Sequence, residues 1–262
     1  MSLFALDISF DKKYNFEGLK YMTNDKLSYD RVLLKISGEL FGDDDGHGIN
    51  FEAYEKIAQD IINIREKTKV ELALVVGGGN IFRGRYKAEQ VDEATADYMG
   101  MMATIINGMA LQEALERLGA PTRMMTAIDV KAVAEPYIRR KALKHLARGR
   151  IVIFTAGTGN PFFTTDSGAA LRAAELNCHI ILKATNVDGI YDDDPNKNPK
   201  AKLLTKVTYQ DALEKNLEVM DATAFALCKK QNIPIVVFNI DKLDDIDQIL
   251  TGHSFGTLVT KD

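Results

Sequence analysis

The sequence predicts a three-layer αβα sandwich built around a mainly parallel central sheet. Short apolar runs alternate along the chain with segments that have helical periodicity. Apolar strands that alternate with helices are typical of a parallel sheet covered on both faces. The length of 262 residues, of which 46% are hydrophobic and 27% charged, suits a globular protein with a substantial core.

The predicted elements follow one another in a regular order. Strands are expected at RVLLKIS, VELALVV, PTRMMTA, RIVIF, HIILKA and IPIVVFNI, and GTLVT is expected to close the chain as an edge strand. A helix is predicted over residues 51–67, with Asn50 as its N-cap and an apolar stripe that begins at Phe51. Further helices are predicted within residues 92–119 and 137–148, and at GAALRAAEL and TAFALCKKQ.

The composition argues against several classes of protein. A net charge of -4 gives no basic signal for nucleic acid or an anionic membrane. Cys178 and Cys228 are far apart and offer no disulfide framework or metal-ligand spacing, which favours a reduced, cytoplasmic setting. No apolar run approaches the roughly 18 residues of a membrane span. Residues 1–28 have no sustained period and are expected to be a poorly ordered or partly tag-derived extension before a single catalytic domain at residues 29–262.

Ligands of a parallel sheet bind at the carboxyl ends of its strands, so the loops that follow the strands are the candidate site. The first loop carries Lys35, Ser37 and Gly38, whose charge and open backbone suit an anion, although a plain turn is equally compatible. The second, VVGGGNIFRGR, combines three consecutive glycines with Arg83 and suits a phosphate. Its glycine spacing fits neither the dinucleotide fingerprint nor a Walker A loop.

Two further loops carry groups that suit a base or a sugar. AGTGNPFFTTDS, residues 156–167, combines Asn160 and several hydroxyls with two phenylalanines that could wall in a ring. Its Asp166 stands where the next helix begins, so a plain helix cap is a strong alternative. LKATNVDGIYDDDPNKNP, residues 182–199, begins with Lys183 at a strand end, and its aspartates are better explained as a solvated turn than as metal ligands. Together the loops suggest two nucleotide-like ligands that meet end to end, as in phosphoryl transfer.

In these loops the sequence resembles the uridylate kinase branch of the amino acid kinase family. The motifs that carry the resemblance are LLKISGE, VVGGGNIFRG, DYMGM, AGTGNPFFTTDS, LKATNVDGIYDDDP and LEVMD, in that order. The resemblance implies a three-layer α/β fold and transfer of the γ-phosphate of ATP to UMP, giving UDP for pyrimidine nucleotide biosynthesis. It also implies Mg²⁺ carried on the ATP phosphates, a homohexamer, inhibition by UTP and, in many members, activation by GTP.

The resemblance also assigns residues to two sites. For ATP it implies Lys35, Ile36, Ser37, Gly38, Gly79, Arg83, Thr185, Asn186, Tyr191 and Asp194. For UMP it implies Gly78, Asp97, Thr158, Gly159, Asn160, Pro161, Phe162, Phe163, Thr164 and Thr165. Lys35 and Lys183 are expected to neutralise charge on the moving phosphoryl group. Asp166 is expected to orient Lys35 and the glycine loops. Asp221 is expected to orient the phosphate groups or the metal ion bound to them.

Three alternatives remain open at this point. A kinase of the same fold that acts on a carboxylate would need an amino acid pocket, which NPFFTT does not resemble. A nucleotide sensor without turnover is disfavoured by the charged set of Lys35, Arg83 and Asp166. A dinucleotide oxidoreductase would need GxGxxG and a ribose-binding acid.

Two further segments carry secondary expectations. The loop GDDDGHG, residues 42–48, corresponds to the region of GTP-linked regulation in relatives, and its acidic charge would repel a triphosphate, which argues against GTP activation here. The methionines of the long helix are expected to fill a core or a subunit contact rather than a cofactor box. They are Met99, Met101, Met102 and Met109.

Overall fold

The computed structural model describes residues 29–82, 91–193, 195, 197–198, 200–215, 217, 220–252 and 255–261, so the predicted extension lies outside it. The strands of this described chain are β1 (Arg31–Ile36), β2 (Glu71–Val76), β3 (Thr122–Thr126), β4 (Glu135–Pro136), β5 (Ile151–Thr155), β6 (Ile180–Thr185), β7 (Ile190–Tyr191), β8 (Leu203–Leu204), β9 (Lys206–Thr208), β10 (Ile235–Asn239) and β11 (Thr257–Thr260). The α-helices are α1 (Phe51–Thr68), α2 (Glu93–Arg117), α3 (Arg139–Ala147), α4 (Thr165–Leu176), α5 (Tyr209–Glu214), α6 (Ala222–Gln231) and α7 (Ile246–Leu250). Short 3-10 helices cover Gly38–Phe41 and Ile240–Asp245.

Within the described residues, nine strands form one sheet in the order β4-β3-β5-β2-β1-β6-β10-β11-β9. Neighbouring strands run parallel, except that β11 runs antiparallel to β10. β7 and β8 form a separate antiparallel pair. The sheet is therefore mainly parallel, as the sequence predicts, with β1 near its centre.

The prediction that GTLVT forms an edge strand is wrong. β11 lies between β10 and β9, and its residues Leu258 to Thr260 pair with β9. The sequence pattern did not indicate β9, because three residues with one buried side chain are too short to show a strand period. This short strand takes the edge position.

Helices cover both faces of the sheet, which confirms the three-layer prediction. On one face, Val32, Leu34 and Ile36 of β1 pack into a core with α1, α2 and α7. On the other face, Leu33 of β1 packs into a second core with α3, α4, α5 and α6. Alternate residues of one buried strand thus serve opposite cores, because successive strand side chains point to opposite faces.

The helix ends follow local hydrogen bonding. Asn50 caps α1 as predicted, because its side chain accepts the N–H groups of Glu52 and Ala53. Phe51 is largely exposed and does not belong to the buried stripe of α1. α3 begins at Arg139 rather than at residue 137, because Tyr137 N–H continues the sheet by donating to a carbonyl of β3. Across the described residues, no helix has the length and apolar character that a bilayer span requires.

Two glycines of α2 differ in how closely they lie against neighbouring groups. A Cβ added at Gly108 would lie 2.4 Å from Thr155 Cγ2 and 2.7 Å from Met124 Sδ. A Cβ added at Gly100 would meet nothing within 4 Å. Gly108 is therefore required for close packing of α2 on β3 and β5, whereas Gly100 carries no such constraint.

The same substitution at these two glycines should have opposite effects on stability. Gly108→Ala should lower the free energy of unfolding by about 1–3 kcal/mol, because the new methyl group overpacks the core. Gly100→Ala should raise it by up to about 1 kcal/mol, because alanine stabilises a helix relative to glycine. Urea unfolding of both variants beside the wild type measures the difference. Equal shifts in one direction would show that α2 is not held at this distance by Gly108.

Candidate functional site

The loops singled out from the sequence meet at one edge of the sheet. They leave the carboxyl ends of four neighbouring parallel strands, β5, β2, β1 and β6. The chain passes from β1 to β2 on one side and later returns to β6 on the other, which makes the boundary between β1 and β6 a topological switch point. Ligands of open α/β sheets bind in the crevice outside such a point.

Two lysines lie side by side in this crevice. Lys35 of β1 pairs in register with Lys183 of β6. Both contact the carboxylate of Asp166, with Lys35 Nζ 2.8 Å from Oδ1 and Lys183 Nζ 2.7 Å from Oδ2. The side chains of Lys35, Lys183 and Asp166 are 10%, 13% and 14% exposed. With both lysines protonated, this lysine–aspartate trio carries one excess positive charge.

Burial and charge act against each other in this trio. Burial alone would raise the pKa of Asp166, but Lys35 and Lys183 outweigh it and hold that pKa at about 2, below its ordinary value of 3.8. Burial lowers the pKa of Lys183; Asp166 opposes this effect and the charge of Lys35 adds to it. Asp166 is therefore ionised at neutral pH and allows two ammonium groups to lie close together.

Asp166 reaches the lysines from the first turn of α4, and it is not the helix cap. Thr164 is the N-cap, and its side-chain oxygen accepts the N–H groups of Asp166 and Ser167 at 3.1 and 3.2 Å. Because the threonine satisfies these donors, the carboxylate of Asp166 is available to the lysines. The alternative that Asp166 is a plain cap is therefore wrong.

The glycines after β1 and β2 let two backbones pack directly against each other. A Cβ on Gly38 would lie 2.4 Å from the backbone N of Gly79, and one on Gly77 would lie 2.6 Å from the backbone N of Gly38. Neither position tolerates a side chain. The floor of the crevice between β1 and β2 is therefore bare backbone, which permits close approach of a phosphate.

Buried polar side chains of α2 hold two of the loops, and the sequence analysis missed them. Thr104 Oγ1 accepts the N–H of Ala156, just after β5, at 2.7 Å. Asn107 Nδ2 donates to the carbonyl of Gly77, just after β2, at 2.7 Å. The signal was present in the sequence as two polar residues on the buried face of a helix that also buries Leu111. An ordinary core-facing helix would be apolar there.

A cavity of about 230 Å³ lies between α2 and the loops after β2 and β5. Six of the residues predicted for UMP line it, namely Gly78, Asp97, Thr158, Phe163, Thr164 and Thr165. Gly79, predicted for ATP, also lines it. The other residues predicted for UMP belong to the same loop but not to the cavity wall; they are Gly159, Asn160, Pro161 and Phe162.

Asp97 joins α2 to the loop that carries the two phenylalanines. Its Oδ2 accepts the N–H of Phe162 at 2.6 Å. Phe162 has a positive φ of 69° and a largely exposed ring, so core packing does not explain it. Phe163 turns toward the cavity instead. Within the described residues, Asp97 Oδ1 receives no hydrogen bond and can accept one from a ligand.

Asp221 lies where α4 and α6 begin. It caps α6 by accepting the N–H of Ala224 at 2.9 Å. Its carboxylate also accepts the hydroxyl groups of Thr164 and Ser167, the latter at 2.9 and 3.0 Å. These contacts fasten the turn that carries Asp166. A direct role of Asp221 at the phosphate or metal end stays a prediction.

The residues predicted for ATP surround the ends of β1 and β6. Ile36 has a buried side chain that belongs to the core, so only its backbone is near the crevice. Thr185 closes the turn after β6 through its hydroxyl, Asn186 is exposed, and Tyr191 lies half-buried in β7. Two further residues of this set lie outside the described residues, namely Arg83 and Asp194.

Removal of the central carboxylate should destabilise the protein strongly. Asp166→Asn leaves two buried ammonium groups without a counter-charge, so we expect the free energy of unfolding to fall by about 3–5 kcal/mol. Adding Lys183→Met in the same chain removes one of the two charges and should recover part of the loss. Urea unfolding at pH 7 measures both variants. A double variant no more stable than Asp166→Asn would contradict charge repulsion as the cause.

The same carboxylate predicts a pH dependence. Because the folded pKa of Asp166, about 2, lies below its ordinary 3.8, its ionised form stabilises the fold above about pH 4. That contribution is lost as the pH falls toward 2. Between about pH 4 and pH 2 the free energy of unfolding of the wild type should fall more steeply than that of Asp166→Asn, because only the wild type loses the ionised carboxylate. Parallel pH profiles for the two proteins would argue against a depressed pKa.

Comparison with known proteins finds similar sequences and structures. A model of the amino acid kinase family matches residues 30–239. A curated relative, the chloroplastic uridylate kinase PUMPKIN of Arabidopsis thaliana, is 49% identical over 253 residues, which are 96% of this chain and 74% of the relative.

Solved structures of uridylate kinases are also similar to this chain. The UMP kinase from Bacillus anthracis is 42% identical with a TM-score of 0.85, over 89% of this chain and 97% of that one. The UMP kinase from Ureaplasma parvum is 43% identical with a TM-score of 0.82, over 89% and 99%. The uridylate kinase from Archaeoglobus fulgidus, at 24% identity and a TM-score of 0.66, shares the fold.

Proposed function

The chain belongs to the amino acid kinase family, and we propose that it is a UMP kinase, which transfers the γ-phosphate of ATP to UMP. The products are ADP and UDP, and UDP supplies the synthesis of UTP and CTP. The observation that carries this proposal is the lysine–aspartate trio, which lies at the strand ends beside a cavity that Thr164 and Thr165 help to line. Two ligands, one in the cavity and one across the strand ends, would meet at the lysines.

UMP occupies the cavity between α2 and the loop after β5. Asp97 Oδ1 accepts a ribose hydroxyl or a base N–H, and the ring of Phe163 forms part of the wall. The hydroxyl groups of Thr158 and Thr165 offer further partners. The phosphate points toward Gly78 and the lysines, since glycine loops at strand ends bind phosphates through backbone N–H groups.

ATP lies across the ends of β1 and β6. The phosphates approach the backbone at Ser37, Gly38 and Gly79, and the base lies toward the turn after β6. The residues proposed at the base end are Thr185, Asn186, Tyr191 and Asp194. Arg83 adds a cation for the phosphates.

The chemistry requires charge and position rather than a base. The attacking oxygen belongs to the phosphate of UMP, which is already ionised near neutral pH. Lys35 and Lys183 neutralise charge on the transferred group. Asp166 holds the two ammonium groups next to each other, because each of its carboxylate oxygens contacts one lysine. Asp221 fixes the turn from which Asp166 projects.

When bound, Mg²⁺ would be carried on the phosphates of ATP and would neutralise part of their charge. Among the described residues, no group of three or more His, Cys, Asp or Glu side chains is arranged to hold a metal ion. Mg²⁺ commonly keeps several waters and binds to substrate phosphates with few protein ligands. Such a site fits a crevice in which the lysines already bind Asp166 and hydroxyl groups already bind Asp221.

UTP and GTP differ as candidate effectors. UTP shares the uridine of UMP and would compete for the cavity. GTP would have to approach the loop at residues 42–48, where Asp43, Asp44 and Asp45 are exposed. That concentration of negative charge argues against binding of a free triphosphate.

One face of α2 is apolar and exposed, and we place a subunit contact of a homohexamer there. The side chains on this face are Tyr98, Met99, Met102, Ile106 and Met109. Met101, in contrast, is buried in the core. A contiguous apolar patch of this kind is typical of a protein contact. The mass of the protein in solution, measured by sedimentation, tests the hexamer.

The activity is tested by ADP release from Mg-ATP with UMP, CMP, dTMP, acetylglutamate and aspartate as acceptors. We expect turnover with UMP above all others. Lys35→Met should lower that turnover by about 100-fold or more in a protein that remains folded, because the transferred group loses a cation. Turnover with an amino acid instead of UMP would overturn the proposal, and a normal rate in Lys35→Met would reject the role of Lys35.

Two substitutions of Asp97 separate binding of UMP from the shape of the loop. Asp97→Asn keeps an oxygen that can accept the Phe162 N–H but loses the negative charge, whereas Asp97→Ala loses both. We expect the KM for UMP to rise in both variants and further in Asp97→Ala, with the KM for ATP nearly unchanged. Steady-state kinetics with each substrate varied in turn measures this. A rise confined to the KM for ATP would reverse the assignment of the two sites.

A further inference from the structure

Three buried polar side chains lie beneath the glycine loop and have no part in the mechanism above. They are Tyr54 of α1, Asn80 after β2 and Asn107 of α2, and we call them the amide cluster. Tyr54 Oη donates to Asn107 Oδ1 at 2.6 Å, and Asn107 Nδ2 donates to Asn80 Oδ1 at 2.7 Å. Tyr54, Asn80 and Asn107 are 1%, 3% and 0% exposed. Buried amides of this kind are unfavourable unless each polar atom finds a partner.

The amide of Asn107 has only one orientation that suits its neighbours. Its Nδ2 donates to the carbonyl oxygen of Gly77 at 2.7 Å. A carbonyl oxygen can only accept, so the opposite orientation would place Oδ1 against it and leave two acceptors facing each other. The hydroxyl of Tyr54 holds the other end of the amide. Asn80 is anchored in turn, because it exchanges two hydrogen bonds with the backbone of Gly48, at 2.8 and 3.0 Å.

The bond from Asn107 fixes the peptide plane between Gly77 and Gly78. In a trans peptide the C=O and the following N–H point in opposite directions. α2 joins strands that run in the same direction, so it runs back along the sheet, and Asn107 lies about 4.5 Å below Thr104, the residue of the cavity wall next above it on the helix. The carbonyl of Gly77 therefore points down into the core. The N–H of Gly78 points up toward the cavity that Gly78 lines.

The bond from Asn107 is the hydrogen bond that the two polar groups of this peptide make in the described structure. Gly77 N–H is bound to the carbonyl of Ile36 at 2.9 Å, but within the described residues the N–H of Gly78 donates to no acceptor. Glycine on both sides of the peptide removes the intrinsic backbone preference for one orientation, although both glycines pack closely against their neighbours. The side chain of Asn107 is thus the contact that selects between the two directions.

We propose that Asn107 is a positioning residue that directs the N–H of Gly78 into the cavity, where it donates to the phosphate of UMP. The inference rests on the placement of UMP given above. Asn107 touches no substrate and acts through the Gly77 carbonyl. Tyr54 fixes the orientation of its amide, and Asn80 supports it from the side.

The test is Asn107→Asp, which has nearly the same shape. At pH 8 the variant presents a carboxylate oxygen to the Gly77 carbonyl, so the peptide should turn over and the KM for UMP should rise about tenfold or more. The KM for ATP should change less than about threefold. A buried aspartate has a raised pKa, and its protonated form can donate to Gly77 again. The ratio of the variant KM for UMP to the wild-type value, taken at each pH, should therefore fall toward one as the pH is lowered to 5.5.

Because the variant and the wild type bind the same UMP, the ratio of their KM values at each pH is not affected by titration of the UMP phosphate. Tyr54 is the titratable side chain in contact with position 107 in the described structure, and burial raises its pKa, so it stays protonated throughout this range. A matched control is Thr68→Val, which removes another buried hydroxyl bond, to Ile64 O at 2.7 Å, at the far end of α1. It should lower stability and leave both KM values and their pH profiles as in the wild type.

Tyr54→Phe gives a second measurement if Asn107→Asp does not fold. It keeps the ring stacked on Phe41 and removes only the hydroxyl that orients the amide. We expect the KM for UMP to rise severalfold, with the KM for ATP unchanged. Equal changes in the two KM values, or an Asn107→Asp ratio that does not depend on pH, would reduce the cluster to a structural role. No UMP turnover in the wild type, or an Asp97→Ala variant with normal KM for UMP, would instead refute the proposed function.

Discussion

The contact on which the rest of the site depends is the carboxylate of Asp166 between Lys35 and Lys183. The parallel register of β1 and β6 places two buried ammonium groups next to each other, and their repulsion must be offset inside the fold. That offset comes from α4, whose first turn must therefore begin at a defined place. Thr164 caps α4 and Asp221 binds Thr164 and Ser167 through their hydroxyl groups, so a chain of short polar contacts ends in the position of one carboxylate.

α2 organises the other half of the crevice. Its first turns carry Asp97, and its buried face carries Thr104 and Asn107, each bonded to the backbone where a different strand ends. One rigid helix thus sets the loops after β2 and β5 relative to each other. Burying these polar groups has a cost in desolvation, which the hydrogen bonds to the loop backbones offset. The opposite face of the helix remains apolar and exposed, which fits a subunit contact.

The cavity wall and the glycine loops bear on the alternative functions that the sequence left open. The relatives are uridylate kinases, and the cavity wall includes phenylalanine rings and threonine hydroxyl groups. The glycine loops fit together backbone against backbone, and their spacing matches no dinucleotide fingerprint. Their glycines are required as much by each other as by a phosphate, since a Cβ at Gly38 would collide with Gly79.

By itself the sequence determined the main strands and helices, the three layers and the loops that carry the chemistry, because hydrophobic periods, caps and glycine runs are local signals. It could not show β9 as the edge, since a three-residue strand has no period of its own. Nor could it show that Thr164 rather than Asp166 caps α4, or that Lys35 and Lys183 share one carboxylate across neighbouring strands. The polar residues Thr104 and Asn107 on a buried helix face were a visible signal, but the loops that they bind were not. Contacts between groups far apart in the chain depend on strand order and register, and only the tertiary structure decides those.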